Sequence, residues 1–363
     1  MALQDPIETL ENCRFCLMCT HVAPVGKVTL LETYTPHGMA LIATSEERDL
    51  IGWTPETINI MFSEVDGGNS RAHCVFGQPF EESVAAVRAH LVEQGLAPDS
   101  VLAAQHRLVT YENPYIERAP AAAEGRGEVA LFMGDAAPYL WPTAVPAVLA
   151  LLEKAGVEPV LVGNGRNNGL LAHSMGYPEL AKELVQATLD EVAASGAKTL
   201  LVLSAGDAYA FGQGMEERLD LALPDGVTLM EVGQYLIDGE YIAAGGLEDN
   251  TPTAYVDPTH VVRLPGRHEW ARALATAVAG YERLELFWRR DRAQPVGSTY
   301  VQFSNPDVAE KLTRARLEDA QTVGAKKLLC DDPATLYQLS RFAGDYDIEV
   351  AGLFEELDRS SWA

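Results

Sequence analysis

The chain has 363 residues, 47% of them hydrophobic, which is enough for two or three domains with ordinary cores. Lys and Arg number 27 against 52 Asp and Glu, and the formal net charge of −25 argues against nucleic acid or an anionic membrane surface as a partner. So acidic a surface either steers a basic patch on another protein or serves solubility.

From the N-terminus, Met1 to Asn12 carries acids and lacks the basic start and apolar stretch of a secretory signal. No apolar run approaches the roughly 20 residues needed to span a bilayer. The five cysteines have no disulfide-like spacing. These features point to the cytoplasm, with any membrane attachment made through a partner.

The first chemical motif is Glu11-Asn12-Cys13-Arg14-Phe15-Cys16-Leu17-Met18-Cys19-Thr20-His21-Val22-Ala23-Pro24. Thiolates at i, i+3 and i+6 on a turn surround one small volume, as a cubane iron–sulfur cluster requires, and the run resembles the bacterial ferredoxin spacing C-x2-C-x2-C-x3-C-P. Ala23 stands where the last cysteine of that spacing falls, while Pro24 is kept. In two-cluster ferredoxins the fourth cysteine of each run ligates the other cluster. A chain that has lost one cluster is therefore expected to keep a solitary cysteine further on. Between Phe62 and Phe80 the only cysteine is Cys74, with Glu64, Gly67 and Ser70 at the positions ten, seven and four before it. This assigns one [4Fe–4S] cluster to Cys13, Cys16, Cys19 and Cys74 and leaves the second site empty. The alternatives are zinc held with His21 or His73, a three-iron cluster, or free thiols. With a cluster bound, His21 and His73 flank it as hydrogen-bond donors.

Next, Thr35-Pro36-His37-Gly38 reads as a turn leading into an apolar-periodic segment that ends near Ile51. Thr54-Pro55-Glu56 reads as a helix start, with Thr54 as N-cap and Pro55 at the first helical position. Val84, Val87 and Leu91 space a helix over Glu81–Gln94, closed by Gly95. Residues 1–96 thus read as a helical ferredoxin-like domain. Asn113-Pro114 and the tract from Ala119 to Gly125 mark 97–127 as a linker or wrapping arm.

From Glu128 the pattern changes. Apolar runs at Val129–Met133, Val157–Val162, Thr199–Leu203 and Val227–Val232 alternate with helical stretches at Ala144–Lys154 and Pro178–Ala194, the signature of a parallel α/β sheet. A second set has strands near Ala254–Val256, Leu284–Phe287, Lys327–Cys330 and Glu349–Ala351, with helices near Trp270–Val278, Asp307–Val323 and Ala334–Phe342. Gly196-Ala197-Lys198-Thr199-Leu200-Leu201 recurs 128 positions on as Gly324-Ala325-Lys326-Lys327-Leu328-Leu329, and the same offset carries Ser204 to Asp332, Asp207 to Thr335 and Gly169 to Gly297. The predicted fold class is α/β: a helical ferredoxin-like domain followed by two tandem α/β repeats, 128–250 and 251–363, with equivalent loops facing one cleft.

The cysteine run, the tandem repeats and Tyr255-Val256-Asp257-Pro258-Thr259-His260 together resemble the iron–sulfur (CCG-domain) family of the heterodisulfide reductases, glycolate oxidases and lactate-utilisation proteins. Members of that family join a two-cluster ferredoxin-like domain to two cysteine-rich CCG domains and pass electrons between flavoproteins and quinones or other carriers. The chain departs from the pattern at every CCG cysteine. Gly134-Asp135, Asn167-Asn168-Gly169, Pro295-Val296-Gly297, Ser204-Ala205-Gly206-Asp207, Asp332-Pro333-Ala334-Thr335 and Thr259 stand where the family's cysteine motifs fall. No non-cubane cluster and no disulfide reduction is expected from such residues. Cys330 falls two residues before a ligand position and reads as a small buried apolar residue.

Asp135, Asn167, Asn168, Ser204 and Asp207 in one copy, and Thr259, Asp332 and Thr335 in the other, have two readings. They cap helices and close turns, or they line a vestigial pocket for a small polar ligand or hard cation. Gly163 to Gly169 lacks the spacing of a phosphate loop and reads as a turn. His260, Arg263, Arg267 and His268 form a basic patch, either solvated or contacting an anionic cofactor or partner.

The expected function is that of a non-catalytic electron-transfer subunit in a hetero-oligomeric oxidoreductase. It takes electrons singly from a flavin on a partner chain, a dehydrogenase or demethylase of a hydroxy acid or amine. The acceptor is an electron-transferring flavoprotein, a ferredoxin or a quinone system. The alternative is a structural or ligand-binding subunit whose cluster only staples the N-terminal domain and whose degenerate cleft binds a small polar ligand.

Overall fold

The computed structural model describes residues 6–121, 123–242, 251–279 and 284–360. Ala122 of the expected linker tract and the expected domain boundary at residue 250 lie outside them. Four helices, Pro36–Glu47, Pro55–Met61, Asn69–His73 and Phe80–Glu93, carry most of the N-terminal domain. The segment at Thr35 is a helix cap rather than a free turn, because its Oγ1 accepts from the Gly38 amide at 3.4 Å. Thr54 and Thr57 cap reciprocally, each hydroxyl accepting the other's amide at 3.2 and 2.9 Å. Within the expected linker arm, Asp99–Tyr111 is helical and buries Val101, Ala104 and Leu108 against Met39, Phe62 and Leu91. Those three residues share one helical face.

The next unit holds strands β1 (Val129–Phe132), β2 (Val160–Val162), β3 (Thr199–Val202) and β4 (Thr228–Glu231), all parallel in the order β2-β1-β3-β4. The last unit holds β5 (Thr253–Tyr255), β6 (Lys327–Cys330) and β7 (Glu349–Gly352), parallel in the order β5-β6-β7. The strand expected at Leu284–Phe287 is reduced to one parallel bridge between Leu284 and Ala254, beside β5 where β2 lies beside β1. The Phe287 and Trp288 amides donate to the Asp319 carboxylate, each at 3.1 Å, which takes this backbone out of the ladder.

The 128-residue repeat holds in three dimensions. Helices Pro178–Ser195 and Pro306–Thr322 begin one repeat apart and lead to the equivalent strands β3 and β6. Gly169 and Gly297 have φ of 83° and 84°, and a Cβ on either would lie 2.9 or 2.7 Å from a helix carbonyl, of Ala181 or of Ala309. Both the backbone angle and the close approach therefore require glycine in each copy.

Buried ion pairs join the three units. Asp66 accepts from Arg218 at 2.7 Å and from Arg263 at 2.9 Å, and Glu82 accepts from the same two arginines at 3.1 and 2.7 Å. Arg267 bonds Glu231 at 2.8 Å and also reaches Asp331, linking the two α/β units. Fully buried Arg88 donates to the carbonyls of Met61, Glu64 and Ser174. Of the expected basic patch, His260, Arg263 and Arg267 are buried and both arginines are paired inside the protein, while His268 is partly buried with Nδ1 4.0 Å from Asp257. Among the described residues no helix is long and apolar enough to cross a membrane.

Removing Arg263 would leave Asp66 and Glu82 in a low-dielectric site with one guanidinium between them. Arg263→Met is expected to lower the unfolding free energy by roughly 3–5 kcal/mol. Urea denaturation followed by circular dichroism measures this, and a loss under about 1 kcal/mol would contradict an inter-domain role for the network.

Candidate functional site

Cys13, Cys16, Cys19 and Cys74 line one hollow, together with apolar Leu10, Leu17, Met18, Phe76 and Phe80. The loop that brings the first three together bends through Phe15 and Leu17 at φ of 49° and 63°. That left-handed conformation costs an L-residue roughly 1–2 kcal/mol, and such strain gathers at functional loops. Cys74 arrives by a separate route, as the C-cap of helix Asn69–His73. The start of that helix is held by buried Glu81, whose carboxylate accepts the Ser70 and Arg71 amides at 2.8 and 3.3 Å.

Burial, with the neighbouring Cys13 adding, pushes the Cys19 thiol up to about 12. A thiolate at Cys19 would therefore need cationic charge beside it. Among the described residues no group of three or more His, Cys, Asp or Glu is placed to hold a metal ion. Zinc needs its donors ~2.0–2.3 Å from one centre. A cubane presents one iron to each cysteine and so separates the sulfurs. An all-sulfur donor set of four suits a cubane and a tetrahedral zinc alike.

His21 and His73 do not line the hollow. His21 Nδ1–H donates to the Met18 carbonyl at 2.6 Å and His73 Nε2–H to the Asp291 carbonyl at 2.9 Å, so backbone groups claim them both. His37 lines the hollow instead, with Nδ1 bonded to Thr35 Oγ1 at 3.0 Å and Nε2 paired with Glu32. Nothing in its local sequence distinguishes His37 from a residue near a helix start. Around the mouth Phe15, Leu17, Met18, Val75 and Phe76 are exposed.

A second cavity, of about 100 Å³, lies where the three units meet. Seven of the eight residues expected from the sequence to converge line it: Asp135, Asn167, Asn168, Ser204, Asp207, Thr259 and Asp332. Thr335 stands behind Asp332. Two of the positions also cap helices. Ser204 Oγ accepts from the Asp207 amide at 3.2 Å, and the Asp207 carboxylate accepts from Ser204 Oγ at 2.8 Å. One repeat later the Asp332 carboxylate accepts from the Thr335 amide at 2.9 Å and its hydroxyl at 2.5 Å. The two copies thus use the same hydroxyl–carboxylate pair with the partners exchanged.

Asn167 donates to Asp135 and Asn168 to Asp207, each at 2.8 Å. Burial raises Asp135 to about 6 and Asp207 to about 7, and it raises Asp332 too. At Gly163 to Gly169 the structure gives a turn: the Gly163 amide is taken by Glu191 at 2.7 Å, and Arg166 is paired with Glu112 and Glu191. Cys330 is fully buried.

Because folded Asp207 keeps its proton to about pH 7, while an unfolded aspartate releases it near ~3.9, the folded state binds more protons between those values. Its contribution to stability therefore falls as pH rises through that window. Asp207→Asn removes the effect, so the variant is expected to gain on the wild type from pH 4 upward and to be roughly 1–3 kcal/mol more stable at pH 8. Paired denaturation curves across pH 4–8 check this, and a difference that does not vary with pH would contradict it.

No family model matches the sequence, and no curated protein matches it. A hypothetical protein from Helicobacter pylori, known from its crystal structure, is similar at a TM-score of 0.62 and 8% identity, over 97% of this chain and 73% of that one. An aspartate racemase homologue from Pyrococcus horikoshii gives a TM-score of 0.29 at 12% identity, over 64% of this chain and 96% of that one, too low to indicate a shared fold. The first likeness concerns the fold alone: a mixed α/β chain with parallel sheets and repeated domains.

Proposed function

We propose that the chain is the iron–sulfur electron-transfer subunit of a flavin-dependent oxidoreductase complex, akin to the heterodisulfide reductase and glycolate oxidase iron–sulfur family that its sequence resembles. One [4Fe–4S] cluster is held by Cys13, Cys16, Cys19 and Cys74. The observation that carries this reading is that two separate stretches of chain deliver all four thiols to one apolar hollow near the surface. When bound, such a cluster accepts and releases one electron at a time.

The protein's own contribution is positional. The Phe15–Leu17 bends and the Glu81-capped helix fix the four sulfurs, and Leu10 and Phe80 exclude water from the inner side. The exposed rim of Phe15, Leu17, Met18, Val75 and Phe76 gives a partner an apolar surface beside the site, within a chain whose net charge is −25. The partner is a flavin-bearing dehydrogenase or demethylase acting on a hydroxy acid or an amine. The acceptor is an electron-transferring flavoprotein, a ferredoxin or a quinone system. The complex lies in the cytoplasm or is held at a membrane through another protein.

Dithionite titration of the anaerobically isolated protein, followed by electron paramagnetic resonance, is expected to give a reversible one-electron signal that Cys74→Ser abolishes. A flavin-containing chain is expected to co-purify. A centre that cannot be reduced without loss of the protein would favour the staple role, and a colourless monomer would contradict the proposal.

A further inference from the structure

The cavity where the three units meet gathers three carboxyl groups for which its own lining supplies no cation. Asp135, Asp207 and Asp332 share it, and its described lining residues include no Lys or Arg. Asp66 lines it too but is held by Arg218 and Arg263. The three other aspartates meet neutral donors: Asn167, Asn168 and Ser204, and Thr335 at Asp332. Both Asp332 and Asp135 act repulsively on Asp207.

A second observation is independent of the acids. Thr259 is 7% exposed and lines the same cavity, and its Oγ1 is buried with no hydrogen-bond partner. A buried hydroxyl left unpaired is costly, and a ligand atom can satisfy it. The size and the donors choose among ligands. About 100 Å³ exceeds what one ion fills. Tyr115 and Phe303 form one wall, with ring centroids 5.9 Å apart, and aromatic faces attract cations.

We propose that this cavity binds a small organic ammonium ion, a primary or methylated amine, with its nitrogen among Asp135, Asp207 and Asp332 and its carbon body against Tyr115 and Phe303. The Thr259 hydroxyl hydrogen-bonds the ligand. The site is separate from the cysteine hollow, and its test does not depend on the cluster.

The test is calorimetric titration of the full-length protein with methylammonium, dimethylammonium and ethanolammonium chloride at constant ionic strength. Saturable binding is expected for at least one of these probes. Asp207→Asn and Asp332→Asn should each weaken it about tenfold or more, and Thr259→Val severalfold, with melting temperatures at pH 8 no lower than wild type for the Asp207 variant. Binding of magnesium or manganese chloride in place of the amines would overturn the proposal. So would saturable binding of sodium acetate, ammonium binding that survives both aspartate substitutions, or no saturable binding of any probe.

Discussion

Glu81 and Glu82 sit side by side at the start of one helix, and the rest of the molecule depends on what their carboxylates hold. Glu81 fixes the amides of Ser70 and Arg71 and so the short helix that ends in Cys74. Glu82, with Asp66, takes one arginine from each α/β unit, Arg218 and Arg263. The position of the solitary fourth thiol and the docking of both sheets therefore rest on one turn of helix. Buried ion pairs contribute little net stability against apolar isosteres, but they are intolerant of a missing partner. That intolerance suits a joint whose three sides must meet in one arrangement. The Tyr209 ring centre lies 5.2 and 4.9 Å from the guanidinium carbons of Arg218 and Arg263, and the ring stacks on His260.

The two α/β units are copies whose loops have diverged in chemistry without losing geometry. The glycines at 169 and 297 keep the same φ and the same contact with a helix carbonyl. At the strand ends the hydroxyl and carboxylate of the capping pair have changed places between copies. Oxygen and amide groups thus line the cleft at the strand ends. Such groups cap helices and at the same time leave carboxylates facing a cavity, where burial holds them above their ordinary range. A capping role and a binding role coincide here because both use the strand ends.

How much can be read from the chain alone follows the range of the interaction. The cysteine spacing, the Thr54 cap, β1, β3, β6 and the 128-residue repeat are local or periodic, and they lie where the sequence puts them. The convergence of Asp135 through Asp332 on one cavity follows from the repeat. The basic segment misleads because its partners are remote: Arg263 pairs with Asp66 across 197 positions. Helix Asp99–Tyr111 is obscured by the turn residues that follow it, although its buried face is periodic. His37 and Glu81 carry no signal, since what sets them apart is the tertiary placement of a loop.

That the four sulfurs of Cys13, Cys16, Cys19 and Cys74, which line one hollow, hold a [4Fe–4S] cluster is the proposal on which the electron-transfer role rests. Its most direct test is the metal and acid-labile sulfide content of the chain isolated without oxygen. The account predicts about four iron and about four sulfide per chain. One zinc with no sulfide, or iron in a ratio of about three to four sulfides, would contradict it.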